Sequence, residues 1–263
     1  MSSFIRWIYI RISSAALLGA VLLSGCAFLP EEIDETKDWS AGEFYAAAKE
    51  ALDSGAYEQA IKYYEKLGAR YPLGRHAQQA ELEIAYAYYK SDEPVSALAT
   101  LDRFIKQYPR HPNLDYSYYL RGLVNFNQGM NLVERYLPVD RSRRDPSAAR
   151  QSFQDFADLV QRFPDSRYAP DARQRMIYLR NNLAQYEVHV ARYYQNRGAH
   201  LAAVNRAKYV VEHYPQTPAV PEGLAIMVRA YREMGMDDLA KDALRVLESS
   251  YSDHPALIQA RKL

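Results

Sequence analysis

"FYAAAKEALDSGAYEQAIKYYEKLGARYP", Phe44 to Pro72, decides the fold. Phe44, Ala48 and Ala51, then Ala60, Tyr64 and Leu67, follow the three- and four-residue steps of amphipathic helices. Gly55 divides the stretch in two and Pro72 closes it. Small side chains at Ala48 and Ala60 let two helices approach while the aromatic rings fill the space beside them. One such pair leaves an apolar face uncovered, so it predicts neighbours of the same design. No segment alternates with period two for long enough to suggest strands.

Working outward, the same ending returns as "QYP" at Pro109, "RFP" at Pro164 and "HYP" at Pro215. Laid on the 34-residue tetratricopeptide pattern, Pro109 brings Ala85, Tyr88, Ala97, Leu101 and Phe104 onto the key positions. Pro215 does so for Ala191, Tyr194, Gly198, Ala203, Ala207 and Val210, and Tyr231, Gly235, Ala240, Leu244 and Leu247 mark a last copy. The copy closing on Pro164 has Gly122 in its first helix and Ser152, Phe156 and Leu159 in its second. The expectation is an all-α tetratricopeptide-repeat superhelix of about five helix pairs over residues 41–254, followed by a tail at 255–263. The wider spacing around Pro164 predicts a long loop near Met130 to Asp145 and an extra helix near Ala169 to Ala184. Asp145 before Pro146 reads as the cap that ends the loop.

Residues 1–25 hold Arg6 and Arg11, an apolar run of about a dozen residues, then Ser24 and Gly25, the order of a secretory signal. The run is shorter than the roughly 20 residues that span a bilayer. Leu23, Ser24, Gly25, Cys26 is similar to a bacterial lipobox, which makes Cys26, the one cysteine in the chain, a lipidation site. Such a cysteine carries a diacylglycerol on sulfur and a third acyl chain on the freed amine, and two chains already suffice for stable anchoring. Ala27 after it, in place of aspartate, implies delivery to the outer membrane. Residues 26–40, with Pro30 and five acids, read as the lipidated cysteine and a solvated tether.

With Arg6 and Arg11 gone, 33 basic and 32 acidic side chains become 31 and 32, which gives no basic footprint for nucleic acid. The chain has no phosphate-cradling glycine loop, no nucleophile elbow and no His-Glu-x-x-His pair. The six histidines are scattered, four of them beside repeat-closing turns, where capping is the expected role and no metal is implied. Glu81 and Glu83 are two apart and point to different faces of a helix. No catalytic residue and no cofactor is expected.

Tyrosine is the informative residue, at 23 of 263. In a tetratricopeptide array the first helix of each pair lines a groove. The inward positions are Tyr45 and Lys49, then Gln79, Leu82, Tyr86, Tyr89 and Lys90, then Tyr116, Tyr119, Phe126 and Asn127. Rings supply contact area at little entropic cost, and their hydroxyls bond to backbone, which suits a peptide. Lys49 and Lys90 are placed to meet a chain-terminal carboxylate.

The strings "AYAYYKS", "DRFIKQYPRHPNLDY", "YLRGL", "VDRSRRDP" and "AAVNRAKYVVEHYP", with the lipobox and the repeats, resemble the BamD family of the β-barrel assembly machinery. The resemblance implies a non-enzymatic, lipid-anchored scaffold on the periplasmic leaflet of the outer membrane, bound to the POTRA region of the BamA barrel subunit. BamC and BamE are the implied lipoprotein neighbours, and unfolded outer-membrane proteins the implied clients, received by the N-terminal repeats. It also implies that Arg206, on the second helix of the fourth repeat, lies where the barrel subunit docks. The charge run at Arg141, Arg143 and Arg144 is as readily a self-paired loop as a partner surface. An alternative reading attached to the same family is a peptidoglycan-associated competence lipoprotein, and a third is an envelope enzyme with a repeat domain.

Overall fold

The computed structural model describes residues 34–128 and 141–262. The signal segment, Cys26 and most of the expected tether and long loop lie outside the described residues. Residues 1–40 and 41–263 form separate units. Within the second, the described residues are helical and contain no strand.

Among the described residues ten helices make five antiparallel pairs. They are α1 (Ala41–Asp53) with α2 (Tyr57–Arg70), α3 (Arg75–Lys90) with α4 (Pro94–Gln107), α5 (Leu114–Asn127) with α6 (Ser147–Arg162), α7 (Ala169–Asn196) with α8 (His200–His213), and α9 (Val220–Glu233) with α10 (Asp237–Ser250). A short α11 (Pro255–Arg261) follows. Each helix packs on its sequence neighbours, and α1 on α3, α3 on α5 and α7 on α9 also touch. That is the nearest-neighbour stack the repeats call for.

The small residues sit where the helices of a pair cross. Ala48 and Ala60, Ala85 and Ala97, and Ala191 and Ala203 are fully buried, and the fifth pair uses Val228 with Ala240. The third pair crosses on Gly122 and Ser152, with the Ser152 hydroxyl donating to the Gly122 carbonyl at 2.9 Å. A Cβ on Gly122 would lie 2.5 Å from the Phe156 ring, so the missing side chain is what admits that ring.

The turns repeat as closely as the crossings. Between the helices of a pair, the N–H groups of Ala56, Glu93, Ala199 and Met236 donate five residues back, to Ala51, Tyr88, Tyr194 and Tyr231. Such a closure needs one residue at positive φ. Gly55, Gly198 and Gly235 supply it, and in the second pair Asp92 does, at φ 65°. Between pairs, the N–H groups of Tyr71, Tyr108, Phe163, Tyr214 and Tyr251 each donate to the carbonyl four residues back at 2.8–2.9 Å. Tyr251 makes this turn without a proline directly after it, so the signal that marks the other four is missing there.

Three features differ from the expectations. Residues Ala169 to Ala184 are not a separate helix but the first part of the 28-residue α7, because nothing breaks the apolar sequence Leu179, Leu183, Val188, Ala191. The α6 helix starts one residue later than the proline reading places it. Asp145 Oδ1 accepts from the Ser147 N–H at 3.3 Å and hydroxyl at 2.8 Å, while Pro146 takes the cap position. Residues Pro255–Arg261 of the tail form α11, whose Nδ1-accepting cap is His254 and whose Ala260 carbonyl takes a 2.8 Å bond from Arg232.

Two apolar clusters fill the stack from α3 onward. One joins α3 to α6 and the start of α7, around Leu101, Phe104, Leu120, Phe156 and Leu179. The other joins the end of α7 to α11, around Val188, Val210, Leu224, Val228 and Leu247.

Candidate functional site

The first helices of the pairs bring together a run of half-buried aromatics. On α3 and α5 the rings of Tyr86 and Tyr89 lie 6.4 Å apart, and the Tyr89 hydroxyl accepts from Asn127 Nδ2 at 2.6 Å. Tyr116 lies 5.4 Å from the ring of Tyr168, which stacks on Tyr119 at 4.7 Å. The Tyr119 hydroxyl donates to Asp171 at 2.8 Å, and Arg175 Nε holds the same carboxylate at 2.6 Å. The Arg175 guanidinium rests over Phe126 at 4.8 Å, and Phe126 in turn meets Tyr178 at 5.7 Å. Polar links run along the same face, from Asn113 to Gln79 at 3.0 Å and from Gln79 to Glu83 at 3.0 Å.

Glu83 is the electrostatic centre of the N-terminal part. Burial first, and then the Glu83 charge, push Tyr45 and Tyr116 above the usual phenol range. Burial alone would pull Lys49 down, but its hydrogen bond to Asp53 and the Glu83 charge hold its ammonium above the usual value. Burial and the hydrogen bond to Asp171 push Tyr119 up to about 12. Asp171 moves the other way, its burial outweighed by Arg175 and the Tyr119 hydroxyl. All these phenols therefore keep their protons near neutrality and stay donors.

The expected groove residues divide in the structure. Tyr86, Tyr89, Tyr116, Tyr119, Phe126 and Asn127 come together. Tyr45 packs on Tyr64 and His76 at 5.7 and 5.2 Å, Lys49 pairs with Asp53 at 3.1 Å, and Lys90 is exposed at the end of α3. Leu82 is a correction, since it is 1% exposed and belongs to the core. The face runs through Gln79, Glu83, Tyr86 and Lys90, and Leu82 falls on its inner margin, where an apolar side chain turns inward. Sequence reasoning missed Glu83, Asp171, Arg175 and Tyr178. The acid-to-arginine step of four residues from Asp171, just after Pro170 opens α7, was the available signal for two of them.

Arg206 has a more specific setting than an open helix surface. Its guanidinium lies 2.9 Å from Glu187, and Arg150 meets the other oxygen of that carboxylate at 3.2 Å. Glu187 itself is 1% exposed. One buried acid on α7 is thus held by arginines from α6 and α8. Ser142, in the arginine-rich loop, bonds to His189 on α7 at 2.9 Å. Between that loop, α5 and α7 lies a cleft of about 400 Å³. Among the described residues no three of His, Cys, Asp or Glu are disposed to hold a metal ion.

A sequence family described as "Outer membrane lipoprotein", YfiO, matches residues 37–247. The "Outer membrane protein assembly factor BamD" of Neisseria gonorrhoeae is 46% identical over 253 residues, covering 96% of this chain and 94% of that protein. The protein of the same name from Vibrio cholerae is 37% identical over 234 residues, covering 89% and 96%. Among solved structures, the P58(IPK) TPR domain is 13% identical with a TM-score of 0.38, covering 84% of this chain and 65% of that one. The match across 37–247 and the near full-length identity to assembly factors lead to one conclusion: this chain belongs to the YfiO family of outer membrane lipoproteins.

Proposed function

We propose that this chain is an outer-membrane protein assembly factor, a non-enzymatic scaffold that holds the extended C-terminal tail of an unfolded outer-membrane protein along its tyrosine groove. The observation that carries the reading is the half-buried run Tyr86, Tyr89, Tyr116 and Tyr119, in which the hydroxyls of Tyr116 and Tyr119 stay protonated donors. An extended peptide offers carbonyls to such donors and an aromatic end to such rings. Cys26 anchors the chain by lipid in the periplasmic leaflet of the outer membrane. The helix pairs after α6 face the POTRA region of the BamA barrel subunit through the surface around Arg206, with BamC and BamE as further neighbours.

Tyr86 is the groove residue with most to give, because among the described residues its hydroxyl has no hydrogen-bond partner, whereas those of Tyr89 and Tyr119 do. Truncating a buried anchor costs about 2 kcal/mol or more of binding, while rings that only exclude water cost little. Titration of a fluorescent C-terminal barrel peptide should therefore show a large loss for Tyr86→Ala with melting nearly unchanged. Tyr119→Ala should lose melting temperature as well, since its ring and hydroxyl are already engaged. Binding of the peptide by all of these variants as well as by wild type would place recognition elsewhere. Mass spectrometry of the mature N-terminus checks the anchor, which requires an acylated Cys26 and fails on an unmodified one.

A further inference from the structure

The structure assigns a second binding site, away from the tyrosine groove: we propose that the cleft between α7, α9 and α11 takes a carboxylate carried by a polypeptide. The cleft encloses about 400 Å³ and is lined by Arg192 and Gln195 of α7, Glu222 and Arg229 of α9, and Lys262 just past α11. Arg232, bonded to the Ala260 carbonyl, pins α11 to α9 and so fixes the far wall.

Two independent observations point to a ligand. The first is Gln195, which is 9% exposed and whose Nε2 is buried with no hydrogen-bond partner. A buried amide donor left unmatched is costly, so a wall that presents one is incomplete without an acceptor. The second is charge. Arg192 is matched by Glu222 at 2.6 Å, while among the described residues Arg229 and Lys262 have no acidic partner. Among the described residues the cleft thus holds two cations without an acidic partner beside an orphan amide.

The chemistry selects a flat monoanion. A guanidinium presents paired N–H donors that match the two oxygens of a carboxylate, and the amide supplies a further donor to one of them. The Glu222 carboxylate in the same lining disfavours a dianion such as phosphate, because like charges repel strongly at this range. The carboxylate could come from a chain end or from an aspartate or glutamate side chain, and the two sources separate in the test.

Calorimetric titration of the full chain in detergent, at low salt, uses three N-acetylated heptapeptides of glycine, serine and phenylalanine. One ends in a free carboxylate, one in an amide, and one in an amide with an internal aspartate. The quantity read is the preference for a carboxylate over the plain amide, expected at tenfold or more. Preference for the first peptide alone assigns a chain end, and preference for the first and third assigns any carboxylate. Arg229→Ala and Lys262→Ala, both exposed positions that leave folding intact, should each cut the preference at least threefold, and Gln195→Leu should do the same. Lys241→Ala, an exposed position outside this lining, should leave it unchanged, so a general loss of positive charge and a loss of this site read differently. Equal binding of all three peptides by wild type, an intact preference in Arg229→Ala, or displacement by inorganic phosphate more readily than by acetate would each overturn the assignment.

Discussion

A methyl group at Gly122 would land on the buried ring of Phe156, and two opposing effects decide what that does. Replacing a helical glycine by alanine gains about 1 kcal/mol in helix propensity, but overpacking a filled core costs roughly 1–3 kcal/mol. Phe156 is fully buried and cannot swing aside, so Gly122→Ala should destabilise on balance, by up to about 2 kcal/mol. Urea unfolding measures it, and a stabilised variant would mean that the α5–α6 crossing has slack. His111 makes a second case. Its Nδ1 accepts from the Asn113 N–H at 3.1 Å and its ring meets Phe104 at 5.1 Å, and burial holds its pKa below the usual 6.5. A histidine with a lowered folded value contributes stability above about 6.5, and that contribution declines as pH falls from 6.5 toward the folded value. Melting should therefore drop modestly between pH 7.5 and 5.5, and His111→Asn, which keeps an acceptor but does not titrate, should remove that part of the drop. At this scale the sequence was readable wherever size mattered. Ala48, Ala60, Ala85 and Ala97 stand out because only small side chains fit a helix crossing. Glu83 and Asp171 did not, because a polar residue facing a groove and one facing open water obey the same spacing.

Helix α7, at 28 residues, is twice the length of α8, α9 and α10 on the C-terminal side, which have 14 residues each. A repeat pattern with 51 residues between Pro164 and Pro215 suggests an added element, and a single helix twice the usual length satisfies the same spacing. Helix and break differ in sequence only by a glycine or proline, and none stands between Asp171 and Arg197. Glu187 lies in the second half of that helix with Arg150 and Arg206 on either side, an arrangement invisible from spacing because its members come from three elements. It changes what a substitution at Arg206 would do. Arg206→Glu would set a second carboxylate beside a buried one, so it should destabilise the isolated protein by about 1–3 kcal/mol. Arg206→Ala should cost less, since Arg150 still serves Glu187. The proposed docking on the POTRA region is therefore tested cleanly only by the alanine variant. Denaturant unfolding of both proteins tests this, with equal stabilities counting against the triad.

Across the whole molecule, the five-pair stack was legible because each repeat restates the same few requirements. The last boundary was less so. Tyr251 closes the fifth pair without a proline directly after it, and α11 is only seven residues long, so no repeat pattern covers it. Yet Ala256, Leu257 and Ala260 are buried and α11 packs mainly on α9. Ending the chain after Asp253 should uncover that side of α9. In a stack where each repeat touches only its neighbours, the damage should stay local. Hydrogen exchange should speed up in α9 and α10 and stay unchanged in α1 to α4, and an even loss of protection along the chain would contradict the nearest-neighbour picture.

Helix α7 is about 42 Å long at 1.5 Å per residue, and it gives Ala172 and Leu179 to one apolar cluster and Ala184, Val188 and Ala191 to the other. A chain of repeats joined by short links can melt piecemeal, one block surviving while the next is lost. Here the two blocks share a single rod, and neither can dissolve without stripping the packing from half of a helix the other depends on. The link between the halves is therefore a splice rather than a hinge, and heating should produce one sharp transition where two cores would otherwise give two.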